Sequence, residues 1–280
     1  MSNQPSSSSR KRGSIPAFAG MTAILLFFTA PAYAVDVDPM RLELTIPADR
    51  PSRNVLIISN SGERTVNAHI SPAPYRFLQT GATCPPSAES WFTFEPSKDV
   101  TLAPGDSKKI TCIVTPPAIV RNDPHAEYVA ALLVDELPAE EAQPAKNGAQ
   151  ITVVPRFALP VYLLIQDRKQ VQAEITDLVL KPGATPGLLR TETTIENKGT
   201  IHLRPSGTIT LFQQSGHTVL QSTPLGKAVP LFPSSTLHIP AVVPLPAPGR
   251  YKAVATIYLD PDRVIQKEKN FEVLPDGTVQ

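Results

Sequence analysis

Residues 150–165, QITVVPRFALPVYLLI, carry the longest alternating pattern in the chain. The odd positions are Ile151, Val153, Pro155, Phe157, Leu159, Val161, Leu163 and Ile165, none of them polar. The even positions mix Thr152, Val154, Arg156, Ala158, Pro160 and Tyr162. Successive strand side chains point to opposite faces, so the pattern predicts a long strand with one unbroken apolar face. Each proline removes a ladder donor, which confines such a strand to an edge, a bulge or a change of sheet. Pro155 and Pro160 have opposite parity, so their missing donors face opposite neighbours, and both cannot face an open edge unless the strand bends. Two readings stay open at this level. The stripe is either the core face of an ordinary sandwich strand or part of an edge kept for a partner to pair with.

The same period-two reading places strands along the rest of the chain. Residues 39–46 (PMRLELTI) set Met40, Leu42, Leu44 and Ile46 against Arg41, Glu43 and Thr45. Further strands are expected at 52–59, at 65–70 before Pro72 and Pro74, at 91–94 (WFTF) and at 107–115. Leu102-Ala103-Pro104-Gly105 has Pro and Gly in the order of a type II turn. Residues 126–137 (AEYVAALLVDEL) suit a helix by composition, but their place among strands favours a buried strand. After a polar hinge at 167–170 (DRKQ), strands are expected at 171–180, 189–196, 207–212, 218–220, 235–243, 249–259 and 264–273. Short strands separated by turn signals predict an all-β chain of two tandem β-sandwiches, residues 35–166 and 167–280.

Composition agrees with that division. Of 280 residues 31 are proline, about twice the usual share, and they are spread along the chain as stiff turns would require. Arg10, Lys11 and Arg12 precede an apolar run at 22–31, and Ala32-Tyr33-Ala34 follows, which reads as a signal peptide over 1–34, cleaved after Ala34. The run is shorter than the ~20 residues of a spanning helix, and no transmembrane helix is expected in the mature chain. Removing 1–34 takes away three bases and no acid, so bases fall from 26 to 23 against 25 acids, a net charge of −2. No nucleic-acid partner is expected from that balance. Export to an oxidising compartment makes a Cys84–Cys112 disulfide the expected fate of the two cysteines.

Catalytic patterns are missing from the sequence. It has no G-x-S-x-G, and His125-Ala126-Glu127 lacks the second histidine of a zinc helix. The five histidines, His69, His125, His202, His217 and His238, stand singly. The expectation is a protein that is not an enzyme and uses no metal or cofactor.

Leu102-Ala103-Pro104-Gly105, Glu127-Tyr128 followed by Asp135-Glu136-Leu137-Pro138, and the long apolar strand behind them resemble the periplasmic pilus-assembly chaperones of the chaperone–usher type. The resemblance spans residues 38–165 and implies immunoglobulin-like sandwiches in the periplasm. It also implies an ATP-independent function: capping pilin-like or other exported subunits by lending an edge strand, with an outer-membrane usher as a possible second partner. On that resemblance the lent stripe is Ile151, Val153, Phe157, Leu159 and Val161. The family holds the subunit's C-terminal carboxylate with an Arg of the first strand and a Lys of the donor strand. Arg41 falls at the first position; at the second stands Ala158-Leu159-Pro160, with Arg156 the nearest upstream base. Arg41 and Arg156 are therefore the expected carboxylate anchors. The second half, with Glu196-Asn197-Lys198-Gly199, looks like a generic extracytoplasmic immunoglobulin-like module. The other reading is a two-domain envelope adaptor that binds a surface protein or the cell wall through its sandwich faces.

Overall fold

The computed structural model describes residues 34–75, 85–137, 155–214, 218–226 and 229–280. The strands of the first half are β1 (Val35–Asp38), β2 (Leu42–Ile46), β3 (Ser52–Asn60), β4 (Val66–Ala73), β5 (Phe92–Glu95), β6 (Asp99–Leu102), β7 (Ser107–Val114), β8 (Glu127–Leu137) and β9 (Arg156–Ile165). They form two sheets, ordered β1-β3-β7-β5 and β2-β9-β8-β4-β6. The second half supplies β10 (Ala173–Pro182), β11 (Leu188–Asn197), β12 (Ser206–Gln213), β13 (Val219–Pro224), β14 (Thr236–Pro244), β15 (Gly249–Asp260) and β16 (Arg263–Val273). These make sheets β10-β11-β14 and β13-β12-β15-β16. The chain is all-β, with two immunoglobulin-like sandwiches in tandem. No helix of the described residues is long and apolar enough to cross a membrane.

Each sandwich closes over its own core. In the first, Val35, Leu56, Ile58, Ile110 and Val114 of one sheet face Ile46, Ile70, Leu132, Leu159, Val161 and Leu163 of the other. In the second, Leu189 and Ile195 of β11 meet Ile209, Leu211, Ala253 and Ile257. Residues 126–137 resolve as strand for a clear reason. β8 buries Tyr128, Ala130, Leu132 and Val134 in the core and also covers Val129 and Ala131 on its other face. A strand buried on both faces reads as a continuous apolar run rather than an alternating one.

One buried asparagine does the same work in each sandwich. Asn60 donates through Nδ2 to the carbonyls of Arg64 (2.8 Å) and Leu102 (3.0 Å) and accepts the Gly62 N–H at 2.9 Å. Asn197 donates to the carbonyls of Ile201 and Leu231, both at 2.8 Å, and accepts the Gly199 N–H at 2.8 Å. Each side chain thus ties a strand end to a distant strand that would otherwise leave a carbonyl unpaired. Gly199 is needed there, because a Cβ would lie 2.3 Å from the carbonyl oxygen of Gln170. The expected type II turn is present: Asp106 N–H donates to Ala103 O (3.0 Å), and Gly105 takes a φ of 76°.

Two expectations are corrected here. β4 runs on through Pro72 to Ala73 instead of ending before it. The Ile70 N–H donates to Lys98 O, on the β6 side, so the missing donor of Pro72 falls on that side too, past the end of the β4–β6 pairing at His69. The Cys84–Cys112 bond is not formed: Cys112 is a free thiol, and Cys84 lies outside the described residues. Strand parity does turn Cys112 inward, but inward is the apolar core, where it is fully buried among the cluster around Leu56 and Ile110. Burial pushes its pKa up to about 12, which leaves an inert thiol.

The neighbours Ala158 and Leu159 give a direct check on this layering. Leu159 is fully buried and Ala158 is exposed on the opposite face. Leu159→Asp is expected to abolish the cooperative thermal transition, since an unpaired core charge costs several kcal/mol out of the ~5–15 available. Ala158→Asp is expected to melt close to the parent; circular dichroism of the two variants makes the comparison.

Candidate functional site

The backbone of β9 defines the first candidate surface. Ile165 N–H donates to Ala126 O (2.8 Å), and Pro155 O accepts the Glu136 N–H (3.1 Å). With the register running from Glu127↔Leu164 to Asp135↔Arg156, odd-numbered residues of β9 exchange bonds with β8. Even-numbered residues turn their N–H and C=O to the other side. There β2 runs parallel and covers Val161–Ile165 only. Arg156 and Ala158 therefore present both backbone groups to a side on which no described strand lies. Pro160 stands where β2 begins and turns its missing donor to that same side. Pro155, of the other parity, lies just before the strand, where β8 asks it only for its carbonyl. The two prolines are thus accommodated without a bend between them.

The side chains of the expected stripe divide along this edge. Leu159 and Val161 are fully buried in the core of the first sandwich, so they serve its packing and are not free to enter another protein. Phe157 is half-buried at the margin of that core. Ile151 and Val153 lie outside the described residues.

The two expected anchors are not brought together, and each is engaged by a carboxylate of the chain. Arg41 Nε is 2.8 Å from Glu43 Oε1. Arg156 forks onto the Asp135 carboxylate across the β8–β9 ladder, at 2.5 and 3.0 Å. Continuing the β2–β9 register sets Arg41 beside Pro160, four residues from Arg156, roughly 13 Å along a strand.

A second site, which sequence reasoning missed, joins the two sandwiches. Glu127, at the head of β8, is 2 % exposed, and His202, in the segment between β11 and β12, is 6 % exposed. His202 Nδ1 lies 2.6 Å from Glu127 Oε1, and its backbone N–H donates to Glu127 Oε2 at 2.5 Å. On the other side of the ring, Nε2 is 3.6 Å from Glu43 Oε1. Arg204 Nε donates to that same Glu43 oxygen at 2.7 Å, and its guanidinium lies 5.2 Å from the centroid of the Tyr162 ring. The Tyr162 ring lies 4.2 Å from that of His202, and Phe232 closes the cluster with Val129. Glu43 is drawn down to about 2, first by His202 and, against its own burial, also by Arg204. Burial works against a charge on His202, but the Glu127 and Glu43 carboxylates outweigh it and raise its pKa. Arg168 braces the junction nearby, donating to the carbonyls of Val120 (2.8 Å), Arg121 (2.8 Å) and His125 (3.1 Å).

Glu127 and His202 are 75 residues apart and each stands singly in the sequence. The available signal was a carboxylate heading an otherwise apolar run, AEYVAALLV. A charge at that place needs a buried partner, but the partner's identity is not written nearby.

Neither a protein-family model nor a curated protein sequence matches the chain. Solved structures do resemble it. The Pseudomonas aeruginosa CupB2 chaperone is 12 % identical, with 84 % of this chain and 98 % of that one covered at a TM-score of 0.44. The E. coli chaperone DraB is 14 % identical, covering 84 % and 96 % at 0.43. The Salmonella enterica SafA pilin in complex with the SafB chaperone gives 10 %, 85 % and 97 % at 0.43. Another structure to which this chain is similar is the Class 5 fimbriae chaperone CfaA, 11 % identical, covering 84 % and 98 % at 0.45.

Proposed function

We propose that the chain is an exported chaperone that captures pilin-like or other secreted subunits by β-augmentation at the open edge of β9. The observation that carries this reading is the half-covered strand: β8 pairs with β9 along Arg156–Leu164, while β2 covers the other side only from Val161 onward. An unpaired edge in a strand of this apolar character is a template for another chain. Its backbone groups at Arg156 and Ala158 supply the affinity such pairing needs, and side chains on alternate positions supply selectivity. The motifs shared with pilus-assembly chaperones stand around this edge. Glu127-Tyr128 and Asp135-Glu136-Leu137 are the two ends of β8, against which β9 lies.

The contribution of side chains shifts toward the start of the strand. Leu159 and Val161 belong to the core, so the groove-filling role falls to Phe157 and, from the sequence pattern, to Ile151 and Val153. Strand exchange of this kind needs no nucleotide, because the energy released is that of pairing and apolar burial. Export by a signal peptide cleaved after Ala34, a periplasmic location and delivery to an outer-membrane usher complete the proposal. Arg41 would meet a subunit carboxylate only by leaving Glu43, and Arg156 only by leaving Asp135.

A backbone substitution tests the edge without touching the core. Ala158→Pro removes an outward N–H that no described residue uses, and the extended Phe157 before it tolerates a following proline. The variant is expected to melt within about 1 kcal/mol of the parent and to lose co-purification of the subunit from the periplasm. Retention of the same partner at the same yield would sink strand addition at this edge and favour an adaptor that binds through its sandwich faces.

A further inference from the structure

The junction between the sandwiches holds more charge than packing alone requires. Three ionisable groups, Glu127, His202 and Glu43, come from β8, the β11–β12 segment and β2, and the imidazole lies between the two carboxylates. Among the described residues, the other charged or titratable groups around it are Arg204 and Arg41, both on Glu43 Oε1, the Tyr162 hydroxyl, whose ring packs on His202 and on Tyr75, and His125, which shares a recess with Glu127. Both arginines serve Glu43. Glu127, with a side chain 1 % exposed, has His202 as its counter-charge. Loss of the imidazole proton would leave a buried carboxylate uncompensated, facing a ring whose second nitrogen then offers a lone pair to Glu43. A recess of about 260 Å³, lined by Pro85, His125, Glu127, Thr200 and Pro233, opens beside Glu127 and gives solvent a way to it.

We propose that Glu127, His202 and Glu43 form a proton-operated latch between the two sandwiches, closed while the imidazole is charged and loosened when it loses its proton. The sign follows from the two ends of the cluster. The His202 pKa is raised above its ordinary 6.5, so its contribution is complete below that value and is lost as pH rises through the raised one. Glu43 falls from an ordinary 4.5 to about 2, so its contribution is complete above 4.5 and is lost only in strong acid. The latch therefore holds at mildly acid pH and slackens as pH rises through the raised His202 value. It works whether or not the edge of β9 captures a subunit.

The His202 amide reports the latch directly, because it donates across the junction to Glu127, whereas the Leu203 amide donates to Leu231 within the second sandwich. Residue-resolved hydrogen exchange on the full chain, from about pH 6 to about pH 9, brackets the range in which a raised histidine titrates. The protection of His202 relative to Leu203 is expected to fall roughly tenfold for each unit by which the folded-state pKa exceeds the ordinary one. His202→Gln is expected to abolish this response. Should that variant lack a cooperative melt, Glu43→Gln decides: it keeps the buried pair but removes one carboxylate, so the loosening should begin at lower pH. A His202-to-Leu203 ratio that stays constant across the range, or a midpoint unmoved by Glu43→Gln, would overturn the latch.

Discussion

Everything in the first sandwich turns on how the backbone of β9 is paired. Each strand residue has an N–H and a C=O that must find partners. β9 meets that demand on the β8 side along Arg156–Leu164 but on the β2 side only from Val161. Its second half is consequently an interior strand, with Val161, Leu163 and Ile165 locked in the core. Its first half is an edge, with the outward groups of Arg156 and Ala158 facing no described strand. One strand thus anchors the fold at one end and, among the described residues, has its outward backbone groups uncovered at the other. Pro160 sits at the changeover, where a missing donor costs least.

β2 links that edge to the joint between the sandwiches. The five residues that cover β9 include Glu43, whose carboxylate reaches His202 and Arg204 of the second half. Tyr162, on the outward face of β9, lies against His202 and near Phe232. The strand pair that ends the open edge thus carries part of the joint, beside Glu127 and Val129 of β8.

Much of this was legible from residue pattern because strands advertise themselves by alternation and turns by Pro and Gly. The strand over Arg156–Ile165, the Pro104-Gly105 turn and the two-sandwich layout all rest on such local signals. Parity also showed that Pro155 and Pro160 face opposite neighbours, although the accommodation is by strand start and edge rather than by a bend. Parity gives a direction and not what lies there, which is why Cys112 pointed inward as expected yet meets core instead of Cys84. The same limit applies to Leu159 and Val161, whose apolar face is equally suited to a home core and to a foreign groove. The joint was hidden for a different reason. Glu127, His202, Glu43 and Arg204 are single charged residues far apart in sequence, and although the apolar run behind Glu127 marks its charge as buried, nothing local names the partners.

The central claim is that a partner strand pairs with the outward backbone of β9 at Ala158. Hydrogen exchange of the Ala158 amide, followed in the free chain and after addition of a subunit that co-purifies with it, reads that pairing directly. The account predicts fast exchange in the free chain and strong protection in the complex, with the Leu159 amide, already turned toward β8, protected in both. An Ala158 amide that exchanges equally fast in the complex would contradict it.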